Sequence, residues 1–211
     1  MSGTKSMDRK RWSTWWQAGR PGSLTSEEFK TSMERWVNTG GHSGPEPSEK
    51  LSEYTALNAV RMRRIAKTYA ISEPMEALLT SEKCSGQHWV VITESWCGDA
   101  AQSSPIIEAW ARKAGVPLEW VLRDGANGII DDFLTRGGRS VPIWIVADKR
   151  GHVLQRWGPR PKPAMQMVRQ YRNLEEPKPA YSEFAAEVQL WYAKDKGRTF
   201  EKEAMKMLNL D

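Results

Sequence analysis

Along the first eighty positions apolar residues recur with a helical period. Asp8 to Ala18 carries Trp12, Trp15 and Trp16 at i, i+3 and i+4, which puts three indoles on one face. Thr25 and Glu28 have the spacing of a capping box and predict a helix to about Val37. Gly40 to Pro47 has no period and predicts a loop. From Ser48 to Tyr69, Leu51, Tyr54, Met62, Ile65 and Tyr69 form one stripe, with Arg61, Arg63, Arg64 and Lys67 beside or opposite it. Asn58 falls on the apolar stripe and reads either as a satisfied buried amide or as a side chain that reaches a site. A short helix around Pro74 to Thr80 follows.

After Cys84 the pattern changes to alternating strands and helices. His88 to Thr93 and Leu118 to Leu122 are short apolar runs suited to strands buried on both faces. Between them Cys97 to Ala114 predicts a helix stopped by Gly115. Within it, Ser104-Pro105 reads equally as an N-cap with a first-turn proline or as a kink inside the helix. Gly128 to Thr135 predicts a short helix ending at Gly137-Gly138. Ile143 to Ala147 and His152 to Trp157 flank Asp148-Lys149-Arg150-Gly151 and predict a hairpin. A helix from Pro163 to about Asn173, a linker from Glu175 to Pro179, and helical sequence from Tyr181 to Leu210 broken at Gly197 complete the chain. The order β-α-β-α-β-β-α from Trp89 to Asn173 predicts an α/β mixed sheet flanked by helices. Additional helices are expected over 1–83 and 175–211, around a core at 84–174.

A composition of 39% apolar and 27% charged residues in a 211-residue chain supports a sizeable core. No run approaches a membrane span, and Met1 to Lys10 has no apolar segment of a secretory signal. A soluble cytoplasmic protein without membrane association is therefore expected. Cys84 and Cys97 are too few for a disulfide framework, and neither they nor His42, His88 and His152 show metal-ligand spacing, so no metal or other cofactor is expected. A net charge of +5 is consistent with solubility alone, and no nucleic-acid partner is expected. Arg9, Lys10 and Arg11 beside the tryptophans of the first helix favour a helix laid on the domain or on a second subunit over a membrane-surface or nucleic-acid patch. The eleven tryptophans read mostly as core fillers.

The segment Trp96-Cys97-Gly98-Asp99-Ala100 joins the first strand to a helix and places one thiol at the helix start. Unpaired N–H groups and the positive dipole end there favour thiolate. With Ser140-Val141-Pro142 before the third strand and Pro105 eight residues after Cys97, the chain resembles the thioredoxin-like superfamily. It is similar more narrowly to a bacterial subfamily with W-C-G-D, G-[RK]-S-[IV]-P and W-G-P-R-P segments. These segments are here Trp96 to Asp99, Gly138 to Pro142 and Trp157 to Pro161. The resemblance implies an exposed nucleophilic thiol at Cys97, a cis Pro142 facing it, a Val141 backbone that pairs with an extended peptide, and a Gly158 close to the thiol. Arg139 and Arg160 are candidate charge partners, because that topology brings both loops to one end of the sheet.

Two departures bear on the chemistry. The buried acid that the family places six residues before the cysteine is Val91 here, and Asp99 sets a carboxylate beside the sulfur, opposing the dipole. Ala100 stands where a dithiol site has its second cysteine. Cys84 is not expected to replace it, since a strand of about 20 Å or more separates the two and a bridge would need unfolding. The implied activity is monothiol exchange on a disulfide-containing protein or low-molecular-weight thiol, resolved by an external thiol. The alternative is a redox-inactive module that holds a peptide or protein in the groove around Trp96, Val141 and Pro142. Covering the sheet, forming a homodimer and closing over the thiol are the roles open to the terminal helices.

Overall fold

A computed structural model describes residues 9–125 and 128–209. The expected helix start at Asp8 and helix end at Leu210 lie outside these residues. Four helices precede the sheet: α1 (Lys10–Gln17), α2 (Ser26–Thr39), α3 (Glu49–Thr68) and α4 (Glu73–Leu79). Their starts follow local chemistry. Thr25 and Glu28 close the capping box of α2, while the Ser48 and Ser72 side chains accept from backbone N–H groups of α3 and α4.

Strand β1 (Gln87–Thr93) leads into α5 (Gly98–Ala114), followed by β2 (Leu118–Leu122), β3 (Ile143–Asp148), β4 (Val153–Trp157) and α6 (Lys162–Arg172). The sheet order is β2-β1-β3-β4, with β1 parallel to β2 and antiparallel to β3. Val91 therefore lies between Trp120 and Trp144. Alternation along β1 divides two cores. Trp89 and Val91 join Trp110, Trp120 and Trp144 on one face, whereas Val90 and Ile92 join Trp12, Ile130 and Phe133 on the other.

The terminal helices share these cores. Phe29 of α2 stacks on Trp120 with centroids 4.9 Å apart. Beyond α7 (Tyr181–Asp195), Gly197 at φ +80° turns the chain into α8 (Arg198–Leu208), whose Phe200 ring lies 4.1 Å from Trp157 and 4.7 Å from Trp110. Trp12 donates from Nε1 to the Gly151 carbonyl (2.8 Å), so α1 clasps the turn of the β3–β4 hairpin. The indoles of Trp12, Trp15 and Trp16 are buried on the domain itself.

Two local expectations change. Gly128 to Thr135 forms only a single 3₁₀ turn, Ile129–Asp132, because its acids are drawn into tertiary bonds: Asp132 accepts the Trp12 N–H (2.7 Å) and Asp131 pairs with Arg139. A run this short gains too few helical bonds to offset nucleation. Thr135 and Gly138 then exchange backbone hydrogen bonds across Arg136-Gly137. Pro105 lies inside α5, which resolves the two readings of Ser104-Pro105 in favour of a helix-interior proline.

Candidate functional site

The end of β1, the start of α5 and the segment before β3 meet at Cys97. The residue is the N-cap of α5, with extended backbone, and its side chain makes no capping bond. Its Sγ donates to the Val141 carbonyl (3.3 Å), and the nearby backbone N–H groups of Ala100 and Asp99 favour its thiolate. The Val141–Pro142 peptide bond is cis. Gly158 closes the back of this segment: it adopts φ +128°, and a Cβ there would overlap the Pro142 carbonyl oxygen.

The thiol is not exposed, contrary to expectation. Cys97 is 7% accessible, and burial first, then the Asp99 carboxylate, pushes its thiol up to about 12, outweighing the helix amides and Arg160. The direction that the sequence left open is thus upward. Asp99 is itself buried and fully engaged: Arg160 Nη2 lies 2.7 Å from Oδ2, and the Tyr192 hydroxyl donates to Oδ1 (2.9 Å). Burial raises this carboxyl, against the opposing pull of Arg160 and Tyr192.

Helix α7 lies across the first turn of α5. Besides Tyr192, it contributes Gln189, whose Oε1 accepts from Gln102 (2.7 Å) and whose Nε2 lies 3.0 Å from where a Gly98 Cβ would stand. Arg61 of α3 approaches the same glycine and donates to Asn58 Oδ1 (2.9 Å), while Asn58 donates to the Ser95 carbonyl (3.0 Å). Asn58 is therefore a satisfied buried amide at the edge of the site. On the other side, Trp96 carries Arg123 over its ring at 4.7 Å. Arg139 is committed elsewhere, since it forks both oxygens of Asp131 (2.7 and 2.8 Å) at the surface. Of the two expected charge partners, Arg160 is the one that acts on the Cys97 sulfur.

A model of the thioredoxin family, described as Thioredoxin, matches residues 44–172, well over half of the chain. The chain belongs to the thioredoxin family. The match includes α3 to α6, and so every residue around Cys97 except those of α7. No curated protein matches. Among solved structures, an HIV epitope scaffold is 13% identical at a TM-score of 0.46, covering 86% of this chain and 97% of that one. A protein of unknown function from Pseudomonas aeruginosa is 15% identical at 0.43, covering 85% and 99%.

Within this thioredoxin-family frame, the position six residues before Cys97 is Val91, fully buried between aromatic rings. A buried acid stands instead at Glu94, only three residues from the thiol. Its oxygens accept from Ser43 Oγ and from the Asp124 N–H (2.9 Å), and burial raises its carboxyl. Glu94, Tyr192 and Gln189 carried no functional signal in the sequence. A glutamate at the end of an apolar strand was the only available hint. Cys84 is buried in a 3₁₀ turn, Glu82–Cys84, that precedes β1, and both cysteines are free.

Proposed function

We propose that this thioredoxin-family protein performs monothiol exchange at Cys97 on a partner disulfide, with an external thiol completing the cycle. The observation that carries the reading is the sulfur's position: it stands at the start of α5, where two backbone N–H groups and the Arg160 charge favour thiolate. The Cys97 thiolate attacks one sulfur of the partner disulfide, forming a mixed disulfide and releasing the other sulfur as thiolate. An external thiolate then attacks the partner's sulfur in that bond and returns Cys97 as thiolate, so no further oxidant is needed. The supporting residues are Trp96, Gly98, Asp99 and Ala100 in the loop, Val141, Pro142 and Gly158 against it, and Arg160 as charge partner.

Buried as it is, the thiol is held neutral, because a value of about 12 leaves roughly one thiolate in 10⁵ molecules at pH 7. Exchange therefore requires that the buried sulfur first become accessible to the partner disulfide. The burial of Cys97 favours a second reading, a binding module of the thioredoxin family that does not use its sulfur. The deciding experiment is trapping with a dipyridyl disulfide and with disulfide-containing lysate proteins in a Cys84→Ser background. Adducts at Cys97, resolved by added glutathione, support exchange. Partner binding that is unchanged in Cys97→Ser, with no adduct at any pH below 9, supports the module. In both readings the subfamily segments, a bacterial source and a cytoplasmic location are consistent proposals. Among the described residues, no helix is long and apolar enough to cross a membrane.

A further inference from the structure

Beside the Cys97 site, between the Thr135–Gly138 turn, the Pro159-Arg160 segment and α6, lies an open groove of about 780 Å³. Arg136, Arg160, Lys162, Arg169 and Arg172 line it, and no acidic residue does among the described residues. The side chains of Arg136, Lys162, Arg169 and Arg172 have no carboxylate partner among the described residues, unlike Arg20, Arg123 and Arg139 elsewhere on the surface. Like charges this close repel, and such a concentration lowers stability unless an anion offsets it.

Two local structural explanations fail. Arg169 and Arg172 suit the last turn of α6, but Lys162 occupies its first turn, where a cation opposes the helix dipole. Arg136 stands at φ +52° beside Gly137 at φ +79°, the first central position of a two-residue turn that asparagine or glycine fills at lower cost. The backbone does not call for arginine there.

We propose that this groove docks an acidic, extended segment of a protein partner and delivers it to the Cys97 end of the sheet. Lys162 and Arg172 are ten residues apart on α6, a span of about 15 Å, which suits carboxylates distributed along a chain better than one compact phosphate group. Arginine forks match carboxylates, and Met165 and Val168 offer apolar contact between the charges. Among the described residues, no aromatic side chain lines the groove to stack a nucleotide base. Its inner wall reaches the site through Arg160, paired to Asp99, and through Ser140, next to the Val141 whose carbonyl accepts Cys97 Sγ. The inference rests on the Cys97 end being where a polypeptide is handled, but binding here needs no sulfur chemistry.

The test is fluorescence anisotropy of a labelled eight-residue peptide with glutamate at every second position, titrated with the full chain at low and physiological salt. Saturable, salt-sensitive binding is expected, at least tenfold weaker in Arg169→Glu/Arg172→Glu. The control Arg63→Glu/Lys67→Glu, with the same change of net charge on exposed α3 positions, should stay within twofold. Arg136→Gly should weaken binding several-fold while leaving the unfolding midpoint equal or higher, because it removes the charge and relieves the turn. Cys97→Ser should bind as the parent does, so loss of adducts with retained binding overturns only the exchange reading. No binding at 1 mM peptide, equal losses in both double variants, or tighter binding of tripolyphosphate or a ten-nucleotide oligothymidylate overturns the acidic-segment assignment.

Discussion

At Cys97 two pairs of influences of opposite sign meet within one helical turn. The α5 amides and Arg160 favour thiolate; burial and the Asp99 carboxylate disfavour it, and the second pair prevails. Asp99→Asn removes the nearest like charge, so the midpoint of Cys97 alkylation against pH should fall below 12 and the rate at pH 8 should rise about tenfold, one pKa unit's worth. Mass spectrometry of the alkylated Cys84→Ser protein reads this directly; an unchanged profile would assign the whole effect to burial. Glu94 offers a second titration. Its folded-state value lies above that of the unfolded chain, so the native state retains a proton that the unfolded state has released. The resulting stability is fully present below about pH 4.3 and declines as pH rises through the folded value. Urea midpoints from pH 4 to 7 should show this decline in the parent and a flatter dependence in Glu94→Gln. Gly158→Ala places a methyl group into the Pro142 carbonyl at a left-handed φ, and chemical denaturation should report a loss of about 3 kcal/mol or more.

Among the elements, α7 was the hardest to place from sequence, and it meets the site at Asp99 and Gln102. Its bond from Tyr192 to Asp99 spans 93 positions, and its bond from Gln189 to Gln102 spans 87. Nothing in the spacing of Tyr181 to Asp195 marks either side chain as a partner of α5. By contrast, elements whose pattern is local were legible: the capping box of α2, the stripe of α3, the two buried strands and the hairpin all follow from residues within a few positions. The Gly128 to Thr135 segment misled because its helical composition is overruled by distant partners of Asp131 and Asp132. Cys97 was legible as a helix start but not as a buried one, since the Val141 carbonyl that its sulfur meets comes from 44 positions away. Tyr192→Phe tests the contact between α7 and Asp99. Removing one donor from a buried carboxylate should cost about 1 to 3 kcal/mol in urea unfolding, and the cost should shrink in an Asp99→Asn background, where the charge it serves is gone.

In the whole molecule the helices on either side of the family core complete it. Phe200 of α8 packs on Trp110, Trp144 and Trp157, with partners from three different elements. Phe200→Ala should therefore cost about 3 to 5 kcal/mol, measured as a shift in the urea midpoint without a change in slope. The tie between Trp12 and Gly151 extends this dependence to the other terminus. The two residues are separated by 139 positions, and a ribosome adding 5 to 20 residues each second needs roughly 7 to 28 s to make that stretch. Throughout that interval the nascent chain carries three tryptophans whose hairpin does not yet exist. Until that hairpin is made, the indole face of α1 stays open to water and to any other apolar surface it meets.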